Sequence, residues 1–288
     1  MLPITVIRFS GILLMFFALA VVRSNVEYVF FTFTFAHYIL ALIYSSAQIA
    51  FVRRTRETWI PCALVLVSGL ASAYFRYPHT VYHFGLHFVL TEMFLLPVRR
   101  DKLPFARQLL ACRLFGNTFL YFQLIGHDPI LNPLPAWFLV SGYLIATACF
   151  FAILQKAGSQ IERKVKLDFL GAELIAMATI AYSLFRPVGS MYIIFYHVLS
   201  WVIIPIPTLK KKGWNAIGMY FGLTVVINTA FWVLTPRGGG MFGVPYPVLR
   251  DQLVFWAYIH AHLSFMLSAL NPDFVLRWFS PRGRLAKA

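Results

Sequence analysis

The sequence predicts an all-α fold, a polytopic bundle of about ten transmembrane helices. Three observations lead there. Of 288 residues, 60% are hydrophobic and only 12% are charged, whereas a soluble domain carries about a quarter charged residues. The apolar residues fall into stretches close to the length of about 20 that a membrane-crossing helix needs. The cations between those stretches alternate between dense and sparse. With a mean hydropathy of +0.72, the chain cannot wet a soluble surface. That excludes a soluble enzyme, a disordered chain and a typical nucleic-acid binder.

The stretches run in order as follows. The first, 3–22, contains Arg8 and ends near Ala18-Leu19-Ala20. Those small residues resemble a signal-peptide cleavage site, but the segment is read as a retained span. The second, 27–52, stops at Arg53, Arg54 and Arg56, and the third, 58–75, stops at Arg76. The fourth, 79–98, stops at Arg99, Arg100 and Lys102. Arg107 and Arg113 intrude on the fifth, 108–125, so the expected range is eight to ten spans. The sixth, 134–155, precedes Lys156, Arg163, Lys164 and Lys166. Arg186 separates the seventh, 168–185, from the eighth, 189–207. Pro205 and Pro207 end the eighth, since proline has no N–H for the helix ladder. Lys210, Lys211 and Lys212 follow, then the ninth stretch, 214–235. Gly238, Gly239 and Gly240 come next and read as a turn or hinge, because no P-loop lysine accompanies them. The tenth stretch, 252–271, leads into a basic tail, 272–288. There Trp278 and Phe279 stand among Arg277, Arg282 and Arg284, a mixture suited to the interface of an anionic membrane.

The formal charge of +15 has a simple origin in such a chain. Eighteen of the 25 Lys and Arg lie in loops after even-numbered stretches or in the tail, and only five in loops after odd-numbered ones. This positive-inside asymmetry predicts cytoplasmic termini and an even number of spans. The expected setting is a multi-pass protein of a bacterial inner membrane, with 1–288 forming one transmembrane domain. Cys62, Cys112 and Cys149 are odd in number and scattered, which argues against a disulfide framework.

Ionisable side chains inside spans are costly and mark a functional interior. His37, His83, His87, His197 and His260 all fall within the predicted spans, whereas His127 falls in the loop beside Asp128. Counted from the outer end of each stretch, His37 is 10 residues deep and His87, His197 and His260 are 8 residues deep. At about 1.5 Å per residue, four helices would present imidazoles in one layer about 12–15 Å down. His79, His83 and His87 form one stripe at i, i+4, i+8. His260 and His262 point about 200° apart, so only one of them can face a shared centre, and depth selects His260. Neutral imidazole is the commonest transition-metal ligand, and a set with an open position suits Fe, Zn or Cu. The competing reading is of separate histidines bonded to carbonyls or lining a proton or quinone path.

Glu92 and Glu173 also lie within spans. Glu92 is about 140° round the helix from His87, which suggests a supporting or interhelical role. Glu173 is expected to pair with Arg8 or Arg113. Tyr38, Tyr82, Tyr196 and Tyr258 neighbour the candidate histidines and could orient them. Among these groups, Glu92 and Tyr196 are the candidate catalytic residues.

Four fragments resemble, at a distance, the Brp/Blh family of membrane-embedded β-carotene 15,15'-dioxygenases. They are His37, Tyr82-His83-Phe84-Gly85, Tyr196-His197-Val198-Leu199 and His260. Trp201 stands where the family's later motif has its second histidine, and no Asp-His pair follows His37. The resemblance implies non-haem iron held by histidines and activating O₂ against a polyene double bond.

The expected function is therefore a membrane oxidoreductase with histidine-bound metal, most simply iron, acting on a lipid-soluble substrate such as a carotenoid or another isoprenoid or acyl chain. Zn, Cu and haem remain open as cofactors. The rivals are a haem- or quinone-linked electron-transfer protein, a transporter or accessory subunit, and a zinc-dependent lipid hydrolase or transferase. Paired histidines for haem and the inverted repeats of transporters are not evident.

Overall fold

A computed structural model describes residues 3–21, 32–41, 79–96, 102–126, 134–186, 188–234, 240–241, 244–245, 248, 256 and 260. The described residues are helical almost throughout. α1 is Ile4–Val21, α2 covers 32–41, α3 is His79–Phe94 and α4 is Ala106–Ile125. α5 is Ala136–Lys156, α6 Arg163–Phe185, α7 Gly189–Ile203, α8 Ile206–Lys212 and α9 Trp214–Leu234. One short antiparallel ladder pairs β1, Gly240–Met241, with β2, Val244–Pro245. By length and composition, α5 and α6 are long and apolar enough to cross a membrane. α1 and α7 contain shorter apolar helices. The expected third stretch, most of the second and tenth, His127, His262, Tyr258 and the 272–288 tail lie outside the described residues.

Where helices depart from the apolar stretches, local chemistry accounts for it. α6 begins at Arg163, five residues before the expected 168, because Arg and Lys are good helix formers and hydropathy does not register them. α7 ends at Ile203 rather than 207. Pro205 cannot donate to the ladder, so the chain restarts as α8, with Pro205 capping it and Pro207 in its first turn. α3 ends at Phe94, short of the expected 98. Pro97 follows in the sequence and disfavours helical geometry at the residue before it.

The chain divides into two compact units, Met1–Ser24 with Phe88–Trp214, and Asn25–His87 with Asn215–Ala288. In the first, α4 and α5 pack along each other, and α1 lies against α7 and α6. Gly11 permits the α1–α7 approach: a methyl group there would sit 2.9 Å from the Tyr196 ring. Asp168 on α6 ties down the start of α1. It accepts from Ile4 N at 2.8 Å and Thr5 N at 2.9 Å, while Thr5 Oγ1 donates to the Asp168 carbonyl at 2.8 Å. Two of the N–H groups that every helix start leaves without an intrahelical partner are thus satisfied by a carboxylate. Asp168→Ala is expected to lower stability by about 1–2 kcal/mol, measured by denaturant titration of the detergent-solubilised protein. Asp168→Asn, which keeps one acceptor oxygen, is expected to lose less.

Candidate metal centre

Three of the five expected histidine ligands come together in the unit formed by Asn25–His87 and Asn215–Ala288. α2 turns Thr32, Thr34, Phe35, Ala36, Tyr38 and Leu40 inward, and His37 sits half-buried among them. His37 Nε2 is 3.1 Å from His260 Nε2, and the two rings meet at 70° with centroids 4.6 Å apart. His87, on the first half of α3, brings its ring centroid to 5.5 Å from that of His260 at 79°. His260 is the middle member. His87 and His260 are both buried.

Aromatic rings surround the trio. Tyr38 stands 5.2 Å from His260 by ring centroids, and Phe35 packs edge-on against Tyr38 at 6.2 Å. Phe84 lies 6.3 Å from His87. His83 is on α3, but its side chain lies outside the described residues.

The donor chemistry fits a metal ion. A nitrogen bound to a first-row cation sits about 2.0–2.1 Å from it, so two ligands of one ion lie about 2.9 Å apart at a right angle and about 3.4 Å apart at the tetrahedral angle. The 3.1 Å between His37 and His260 falls inside that span. The same distance suits an N–H···N hydrogen bond, whose direction depends on the tautomers. Metal analysis separates the two arrangements.

His197, Glu92 and Tyr196 lie in the other unit. His197, on α7, is buried between Phe88 at 6.3 Å and Trp201 at 6.1 Å, both edge-on. Glu92 and Tyr196 meet: Tyr196 Oη donates to Glu92 Oε1 at 3.2 Å. Arg8 Nε donates to Glu92 Oε2 at 3.1 Å, with Nη2 also 3.1 Å from that oxygen. Both oxygens of Glu92 are therefore engaged by α1 and α7, an interhelical arrangement. Glu173 has both of the cations expected for it, Arg8 at 3.7 Å and Arg113 at 3.6 Å, and accepts from Tyr143 Oη at 2.5 Å.

Arg113 interrupts the apolar pattern of α4 for a reason the pattern does not reveal. Its guanidinium donates to the carbonyls of Glu92 and, at 3.3 Å, Met93, which α3 leaves open at its C-terminus. The result is a buried set of two cations and two carboxylates. Tyr143, which donates to Glu173, and Asp168, which caps the start of α1, were not among the site residues expected from the sequence. An isolated tyrosine or aspartate in an apolar run was the available signal. No protein family, curated protein or solved structure matches the chain.

Proposed function

We propose that this chain is a multi-pass inner-membrane oxidoreductase of the non-haem iron oxygenase type, acting on a carotenoid or another isoprenoid or acyl chain. The observation that carries the reading is the part-buried pairing of His37 and His260 nitrogens at 3.1 Å, with His87 beside them. His37, His87 and His260 would hold the metal. His83 and His197 are retained as ligand candidates on sequence depth and on the resemblance. Iron, when bound, would supply redox chemistry toward dioxygen at a site with an open position.

The chain's own residues have separable tasks. The three imidazoles bind and orient, and each fixes its tautomer through what its other nitrogen contacts. Tyr38, Phe35 and Phe84 wall the histidines with apolar surface and keep water away. A substrate that already dissolves in lipid would reach such a site without crossing water.

Metal analysis and an optical spectrum of the purified protein test the cofactor. Iron without a haem absorption band supports the reading; a haem band or zinc would replace it. In carotenoid-accumulating cells, expression is expected to bleach the pigment and yield aldehydes, and His260→Ala is expected to abolish bleaching. Iron-loaded, folded protein that leaves the pigment intact would remove the carotenoid and leave other isoprenoid or acyl chains.

The bundle of ten spans with cytoplasmic termini belongs to the same proposal, supported by the 18-to-5 charge split. A cytoplasm-active reporter fused after Lys212 is expected to be active, and one after Leu234, beyond α9, silent. Activity after Leu234 would reverse the orientation.

A further inference from the structure

In the first unit, α4 and α5 run antiparallel along a common seam. Two contacts fix its register. At one end Lys156 Nζ lies over the Phe105 ring, 5.6 Å from its centre. Further along, Gly142 packs so closely on Phe119 that a methyl group there would stand 2.7 Å from the ring. The contacts are 14 residues apart on each strand of the seam, counted in opposite directions. Midway between them stand Cys112 on α4 and Cys149 on α5, seven residues from each. Seven residues are about two turns and return a helix to nearly the same face. The two cysteines, scattered in the sequence, therefore meet across the seam, near enough for each thiol to feel the other's charge.

The helices approach closely at this point. One turn from Cys112, a methyl group on Gly116 would sit 3.7 Å from Ala146 Cβ. That matches the Cβ–Cβ spacing of a disulfide, about 3.5–4.5 Å. Position on the seam decides what can reach the thiols. Phe150 is buried, with its ring 5.0 Å from that of Phe169. Its neighbour Cys149 is turned to the outer edge and exposed, while Cys112 is half-buried. The exposed side chains within three residues of either cysteine are Ala111, Phe115, Ala148 and Ala152, all apolar. A reagent that oxidises the pair approaches through apolar surroundings. α5 is long and apolar enough to cross a membrane, and on the reading that it does, that reagent dissolves in lipid.

We propose that Cys112 and Cys149 form a two-electron redox site, closed to an interhelical disulfide by a lipid-soluble quinone. The S–S bond forms as both S–H bonds break. The two electrons and two protons pass to the quinone, which leaves as the hydroquinone. Each chain thus yields one disulfide and one hydroquinone. The site is separate from the metal centre, and only the choice of oxidant rests on the membrane reading above.

The test treats the full-length protein, reduced and held in lipid nanodiscs without air, with a fully substituted alkyl benzoquinone. Such a quinone has no ring C–H to which a thiol can add. Free thiols are expected to fall from three per chain to one, with one equivalent of hydroquinone measured by absorbance. Mass spectrometry of a digest is expected to find the Cys112 and Cys149 peptides linked, and dithiothreitol to separate them. Cys112→Ser and Cys149→Ser should each abolish hydroquinone formation, and Cys62→Ser should leave it unchanged. Ferricyanide, an anion that lipid excludes, is expected to leave the thiols free. If a serine variant misfolds, the linked peptide from the wild-type protein decides alone. Folded protein that keeps all three thiols under both reagents, or a bond to Cys62, would overturn the pairing. Closure by ferricyanide as readily as by quinone would overturn the lipid-soluble oxidant, and with it the membrane placement of α5.

Discussion

Replacing His37 or His260 with Ala is expected to strip bound metal from the protein while leaving it folded in the membrane. Metal-to-protein ratio by elemental analysis should fall from near stoichiometric to background. The reason is the 3.1 Å juxtaposition of their Nε2 atoms: removing one leaves a single imidazole of the pair, and the lost bond has no substitute among the aromatic side chains around it. Removing a group that only orients a metal's ligand already costs about 10- to 100-fold in affinity, so loss of a ligand should cost more. His87→Ala is expected to follow, and His197→Ala likewise under the proposed ligand set. His127→Ala, at a position the sequence alone reads as lying outside the spans, is expected to leave the metal in place. Full metal retention in both His37→Ala and His260→Ala would mean that the pair is a hydrogen bond and no more.

Glu92→Ala is expected to be among the most destabilising single substitutions in the first unit, by about 3–5 kcal/mol. The substitution leaves Arg8 buried with only the more distant Glu173 as counter-charge, and Tyr196 loses its acceptor. Arg8→Met is expected to be comparably costly, since it removes the ion pair to Glu92 and the bond to Ala172. The double variant Arg8→Met with Glu92→Leu should cost clearly less than the sum of the singles, because no uncompensated charge remains. Unfolding in mixed micelles, followed by helical circular dichroism, measures all three. Additive losses would show that Arg8 and Glu92 stabilise independently rather than as a pair.

Much of the local structure was legible before any coordinates. The helices α5 and α9 sit within two residues of the apolar stretches 134–155 and 214–235, because hydrocarbon-compatible side chains and an uninterrupted ladder coincide there. The break after α7 was legible in Pro205 and Pro207. The start of α6 was not, because helix propensity extends through charged residues that hydropathy counts against a span. The histidines were legible as candidates through the cost of placing them in apolar runs, and the choice of His260 over His262 followed from depth.

What the sequence by itself determined is therefore helical character, the apolar runs, the alternating charge of the loops and the identity of the unusual polar residues. These follow from properties of neighbouring residues, and periodicity carries them along the chain. Only the tertiary structure decided partners. His37 and His260 are 223 positions apart, Arg8 and Glu92 84, and Asp168 caps a helix start 164 positions away. No local pattern encodes such distances, because helical phase specifies which face a residue occupies and not which helix will lie against that face. The partners follow from packing that buries each polar group beside one of opposite need, which is a property of the folded whole.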